Sequence, residues 1–323
     1  GSGSGSGGGG GGGGGDGGGG GDGASSPAPS RFLVSGASKR GWTTWLLSAV
    51  DPRVAALAPV VLDALRLHDF LHAMWRNLGG WTFALSEDVQ LNLTRRWDSP
   101  QFQQLAALID PFAYRARLAK PKLVINAVGD EFQMPDDSAR WVGDMKGETH
   151  LLMVANAEHS MATGLSTALQ GMASFARAVA AGAPRPALRA WTIDPEDGRI
   201  TATVSAPPRR ATMRFGSTVD GKRRDFRWAV HRQPCPTVAV FGGCLRPIPW
   251  LAQGLQAVDG GGTTFVAAMA PPGEGWRAFY IEFEFDPPTE GAPPFLLTTP
   301  VSVVPMTHPF EDCEGEECAG TIV

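Results

Sequence analysis

No stretch of this sequence reaches the roughly eighteen consecutive apolar residues of a membrane-spanning helix; the longest apolar run, Val54 to Leu62, has the length of a buried strand. No membrane span is therefore expected. Positive charge is also short. With 28 Lys and Arg against 32 Asp and Glu, the net charge of -4 leaves no basic face for nucleic acid or anionic lipid. Cysteine is scarce and late: Cys235, Cys244, Cys313 and Cys318 suit two short-range disulfides or four free thiols equally. They form no Cys-x-x-Cys pairs with nearby histidines, and Glu314, Glu316 and Glu317 suggest a solvated tail over 310–323, so neither a metal nor a cofactor is expected. The opening residues hold no positively charged segment followed by an apolar one, so no signal peptide is expected there and the cellular address is not legible.

What the sequence has in excess is glycine, concentrated in residues 1–30, where Ser2, Asp16 and Asp22 break the run. Such a segment has no apolar side chains to offset its ordering entropy and is expected to be disordered. A phosphate-binding loop is not expected, since no strand precedes the glycines and no Gly-Lys-Ser/Thr follows them.

From Arg31 the pattern changes. A short buried strand over Phe32 to Ser35, a helix from Lys39 to Val50 stopped by Asp51-Pro52, and a strand from Val54 to Leu62 make a strand-helix-strand unit, and hence a parallel sheet. Lys122 to Val128 and His150 to Ala155 add two strands, and a helix from about Met161 to Ala181 covers them. Residues 63–118 are too long for a simple crossover and read as a helical insertion whose aromatics form its own core, with Trp75 and Trp81 the candidates for lining a pocket. Past Gly182-Ala-Pro-Arg-Pro186, short strands separated by proline and glycine turns occupy 187–309: Arg199 to Val204, Ala211 to Phe215, Phe226 to Val230, Thr264 to Met269, Trp276 to Phe285 and Leu296 to Val304. The expected fold class is α/β: a parallel sheet over 31–182 with its helical insertion, followed by a β-sandwich-like domain.

The chemistry concentrates at three strand ends. Gly36-Ala-Ser38-Lys-Arg-Gly41 lies between strand and helix, where a tight turn would push the Ser38 hydroxyl out at the carboxyl edge of the sheet. Asp130 follows the third strand and His159 the fourth, so nucleophile, acid and base stand in α/β-hydrolase order. In that reading His159 takes the Ser38 proton and Asp130 fixes the imidazole tautomer; Glu131, Asp136 and Asp137 remain alternatives for the acid. The backbone N–H of Lys39 would serve an oxyanion hole, aided by the helix N-terminus. Its second donor normally comes from an earlier strand, and a complete fold would have about four strands before Phe32, so 31–182 is expected to be the C-terminal half of an α/β-hydrolase parallel sheet, a partial hydrolase domain, and the chain a piece of a longer protein. Glu158 adjoins the base and could raise its pKa. His68, His72, His150, His231 and His308 read as structural or surface residues.

Gly36-Ala-Ser-Lys-Arg-Gly-Trp42, Asp110-Pro-Phe-Ala-Tyr114, Pro121 to Asn126, Gly129-Asp-Glu-Phe132, Pro135-Asp136 with Ser138, and Asn156 to Ser160 together resemble the PhoPQ-activated pathogenicity-related family, which includes autocrine proliferation repressor proteins. Arg224-Asp-Phe-Arg227, Gly275 to Phe279 and Thr298 to Pro305 extend the resemblance to about Pro309. It implies a serine-hydrolase type of α/β-hydrolase domain, a β-rich domain after it, export from the cell, and Ser38, Asp130 and His159 as the triad. Gln133 departs from it, standing where an aromatic is usual. Two functions follow as expectations: hydrolysis of a small ester or peptide through an acyl-enzyme, or a non-catalytic secreted signalling or binding protein that meets a protein partner on a hydrolase scaffold.

Overall fold

A computed structural model describes residues 30–240 and 243–323; the expected disordered glycine segment lies, except for Ser30, outside the described residues. Four parallel strands begin the sheet: β1 (Phe32–Ala37), β2 (Val54–Val60), β3 (Lys122–Ala127) and β4 (Thr149–Val154), in that spatial order. β1 ends the path and is half-exposed, whereas β3 is buried along its length, as an inner strand covered on both faces must be. Helix α1 (Lys39–Val50) supplies the β1–β2 crossover.

Residues 63–118 are helical as expected. They form α2 (Leu67–Leu78), α3 (Ser86–Gln90) and α4 (Pro100–Ile109), with 3-10 turns between and after them. α2 starts with its Leu67 amide donating to the Asp110 carboxylate at 2.8 Å, and it ends at Gly79 with φ 62°, the left-handed conformation in which a missing Cβ removes the steric cost. α4 is capped by the Ser99 hydroxyl, which accepts from the Phe102 amide, with Pro100 in the first turn. Helix α5 (Leu165–Ala181) buries Phe175 and Ala178 against the sheet, starting four residues later than the periodicity suggests because Met161 to Gly164 form turns.

The β-rich half contains β5 (Leu188–Ile193), β6 (Ile200–Val204), β7 (Arg210–Ser217), β8 (Ala229–Val230), β9 (Ala239–Val240), β10 (Gly243–Leu245), β11 (Leu251–Leu255), β12 (Thr264–Ala267), β13 (Arg277–Phe285), β14 (Phe295–Thr298) and β15 (Ser302–Val304). Its strands do not all turn away from the parallel sheet. β14 pairs antiparallel with β4 through Thr298 and Leu151, and β13, β7 and β11 follow, so one path runs β1-β2-β3-β4-β14-β13-β7-β11. β12-β6-β5 and β8-β10-β9 make two further antiparallel sheets, and residues 31–323 form one compact unit.

β13 ties the halves together because both its faces are buried. Phe279, Ile281 and Phe283 join the core that also takes Leu123, Leu152 and Phe175, while Tyr280 lies on the opposite face and donates its hydroxyl to the Met153 carbonyl at 3.0 Å. Truncating one of these phenylalanines to alanine should cost about 3–5 kcal/mol. The single strand expected over Leu296 to Val304 is two, because Thr299-Pro300 breaks the ladder and proline has no N–H to give. Strands β5, β9, β10 and β11 lie outside the segments expected as strands; β11 is exposed along most of its length and pairs with β7.

The segment after 310 is not a solvated tail. Cys313 and Cys318 are buried and disulfide-bonded to each other, Trp81 donates its indole N–H to the Cys318 carbonyl at 2.8 Å, and the Trp81 amide donates to Thr321. The glutamates at 314, 316 and 317 masked the apolar partner that this segment finds. Cys235 pairs with Cys244.

Candidate active site

Ser38 sits between β1 and α1 with φ 56° and ψ -124°, a backbone conformation disfavoured for any residue with a Cβ and held here by the Ser38 amide donating to the Val60 carbonyl at 2.9 Å. The glycines on either side are required by close approach. A Cβ at Gly36 would stand 2.7 Å from the Arg40 Cβ and carbonyl oxygen, and one at Gly41 3.0 Å from Val60 O and Leu62 Cβ. The second glycine therefore falls at 41, the helix position that faces β2, while Arg40 points outward and is exposed. Lys39, the first residue of α1, contributes a first-turn amide that has no intrahelical acceptor.

His159 lies in the loop after β4 and meets both partners. Its Nε2 is 2.8 Å from Ser38 Oγ, and its Nδ1 is 2.8 Å from Asp130 Oδ2. Ser38 and His159 remain partly exposed, while Asp130 is buried and its other oxygen accepts the Phe132 amide at 2.7 Å. The Phe132 ring lies 4.3 Å from the imidazole, centroid to centroid, and limits its rotation. Such a chain can pass the Ser38 proton to Nε2 while the carboxylate holds Nδ1–H and stabilises the imidazolium.

The alternative acids do other work. Glu131 accepts the His159 backbone amide at 3.0 Å, and burial, with Asp130 and Glu158 adding like charge, lifts its carboxyl to about 7. Asp136 faces Arg224 at 2.8 Å. Asp137 accepts the Met134 amide at 2.7 Å and pairs with Arg140; burial lifts it to about 7 against the pull of that guanidinium. Glu158 accepts the Ala162 amide at 3.0 Å and so caps the turn after the histidine. Burial opposes charging of His159, but the charge and hydrogen bond of Asp130, then Glu131 and Glu158, outweigh it and raise the imidazole above its ordinary pKa.

Trp75 and Trp81 belong to the core of the helical insertion. Their rings are 5.2 Å apart, Trp97 lies edge-on to Trp81, and Gly320 approaches so closely that a Cβ there would be 2.6 Å from the Trp75 ring. The loop over 129–138, by contrast, has supports that local sequence patterns do not expose. Trp228 donates its amide to the Gly129 carbonyl at 2.9 Å and leaves no room for a Cβ at 129, while Asn156 exchanges hydrogen bonds with the Trp250 backbone. Their sequence signals were the resemblance over Asn156 to Ser160 and that over Arg224 to Arg227, which adjoins Trp228. Gln133 spans Asp63 and Val61, its Oε1 accepting the Asp63 amide at 2.7 Å and its Nε2 donating to the Val61 carbonyl at 2.9 Å, so a hydrogen-bonding side chain fixes the chain leaving β2.

Among the described residues no helix is long and apolar enough to cross a membrane. Est1E from Butyrivibrio proteoclasticus aligns over 47% of this chain and 62% of its own, with a TM-score of 0.34 and 15% identity. An acylaminoacyl peptidase of Pyrococcus horikoshii aligns over 42% of this chain and 21% of its own, at 0.32 and 15%. Autocrine proliferation repressor protein A of Dictyostelium discoideum is 31% identical over 301 residues, 90% of this chain and 59% of that protein, so this chain spans less than two thirds of that relative. Residues 27–227 match the profile described as PhoPQ-activated pathogenicity-related protein, and the chain belongs to that family.

Proposed function

We propose that this chain carries the catalytic residues of a serine hydrolase of the esterase or peptidase class. Ser38 Oγ attacks the carbonyl carbon of a small ester or peptide as its proton passes to His159 Nε2; the tetrahedral intermediate collapses, the bond to the leaving group breaks, and His159 returns that proton to it. Water, deprotonated by His159, then hydrolyses the acyl-enzyme. Asp130 orients the imidazole, and the Lys39 amide at the positive end of α1 stabilises the oxyanion. The reading rests chiefly on one observation: the 2.8 Å contacts from Oγ to Nε2 and from Nδ1 to a buried carboxylate. The two disulfides and the family resemblance support an exported protein.

Incubation with a short-chain p-nitrophenyl ester followed by intact-mass measurement tests the reading. A single acyl adduct on the peptide containing Ser38 is expected, with none in Ser38→Ala. Undiminished ester turnover by Ser38→Ala would overturn it. The likeness to a protein named as an autocrine proliferation repressor favours a second reading, in which the fold acts as a signalling scaffold toward a protein partner. That reading expects Ser38→Ala to keep any effect on cell proliferation, and loss of the effect in a normally folded variant would refute it.

A further inference from the structure

His68 and His72 stand one turn apart on α2, the i, i+4 spacing that points two imidazoles the same way. They converge on one atom: Asp98 Oδ1 is 3.0 Å from His68 Nε2 and 2.9 Å from His72 Nε2. The outer partners are in place as well. Asp312 Oδ1 lies 2.8 Å from His72 Nδ1, and the Gly315 amide donates to Asp98 Oδ2 at 2.9 Å, leaving Oδ1 free to face the imidazoles.

Both ring nitrogens of His72 face a carboxylate oxygen, Nδ1 that of Asp312 and Nε2 that of Asp98, while a neutral imidazole has one N–H to offer, so the second contact calls for a cation, which a metal ion at Nε2 would supply. We propose that His68 Nε2, His72 Nε2 and Asp98 Oδ1 bind a divalent transition-metal ion of the Zn2+ class, with Asp312 and Gly315 orienting the ligands from behind. Two ligand atoms about 2.0–2.1 Å from a tetrahedral Zn2+ stand roughly 3.3 Å apart, so outward shifts of a few tenths of an ångström complete the site. Cys313 is close but disulfide-bonded and has no thiolate to offer. His68, His72 and Asp98 line a cavity of about 770 Å3, from which water or a ligand would complete the coordination.

The ligands come from α2 and from Asp98, and the supporting groups from 312–315, so the ion would fasten the segment after 310 to the helical insertion. The site shares no residue with the Ser38 constellation and stands independently of the proposed activity. Its test is calorimetric titration of chelator-stripped full chain with Zn2+, repeated with Co2+ followed by visible absorption. One equivalent should bind, with ligand-field bands of a four-coordinate Co2+ ion and a raised Tm. His72→Ala and Asp98→Asn should weaken binding by on the order of a hundredfold or more, Asp312→Asn by about 10–100-fold, and His231→Ala not at all. Failure of the wild-type chain to bind either ion would overturn the site. Binding that survives His72→Ala unchanged would overturn it equally.

Discussion

Replacing Arg224 by alanine should loosen the loop that carries Asp130 without touching Asp130 itself. Arg224 is buried, donates through Nη2 to Asp136 Oδ2 at 2.8 Å and through Nη1 to Asn77 Oδ1 at 3.2 Å, and lies four residues before Trp228, which braces Gly129. Its removal leaves Asp136, with 14% of its side chain exposed, facing Arg140 at 3.8 Å. Breaking one side of a buried ion pair costs about 3–5 kcal/mol. At roughly 2–4 °C per kcal/mol for a domain of this size, Tm should fall on the order of 10 °C in a calorimetric or fluorescence melt. Arg224→Met combined with Asp136→Leu should recover most of that loss, since no charge is then stranded. The pH dependence carries a sign. Burial alone would raise the Asp136 carboxyl, but Arg224 and then Arg140 outweigh it and hold it well below the ordinary range. A depressed folded pKa contributes stability that is present above the ordinary carboxylate value of about 3.9 and is lost as pH falls through the folded value. The gap between wild type and Arg224→Ala should therefore be full at neutral pH and close in acid. A Tm within about 2 °C of wild type at pH 7, or a gap that widens in acid, would refute the reasoning.

Gly129→Ala should prove damaging for steric reasons: its Cβ would stand 2.4 Å from Trp228 Cδ1 and 2.9 Å from the Ala157 carbonyl oxygen, and an overpacked site of this kind costs about 1–3 kcal/mol, measurable by urea denaturation. The rate of Ser38 acylation should rise with pH as His159 loses its proton, at a midpoint above the ordinary histidine value. Asp130→Asn removes the strongest of the influences that raise it, so the rising limb should move to lower pH while the plateau falls by as much as about 10⁴-fold, read as acylation rate against pH.

The parallel half was legible because its signals are local. The helix over Lys39 to Val50 is found at those residues, since Asp51-Pro52 stops it and apolar strands bound it on both sides. The placement of Ser38, Asp130 and His159 beyond the ends of the first, third and fourth strands was readable from chain order, because parallel topology brings such ends to one edge. What sequence patterns did not reveal depends on distant pairing. That β14 joins β4 rests on a single bridge between Thr298 and Leu151, that Trp228 packs on Gly129 crosses about a hundred residues, and nothing in the acidic stretch after 310 announces that Cys318 and Gly320 cover Trp81 and Trp75. His68 and His72 showed their spacing, but Asp98 and Asp312, which give it meaning, come from elsewhere in the chain.

The central claim is that Ser38 is a nucleophile activated by His159, and fluorophosphonate labelling of the purified chain beside Ser38→Ala and His159→Ala, with folding checked by circular dichroism, tests it most directly. The account predicts one covalent adduct on Ser38 in the wild-type chain and its loss in both variants. A folded wild-type chain with Ser38 accessible that never labels, or equal labelling of Ser38→Ala, would contradict it.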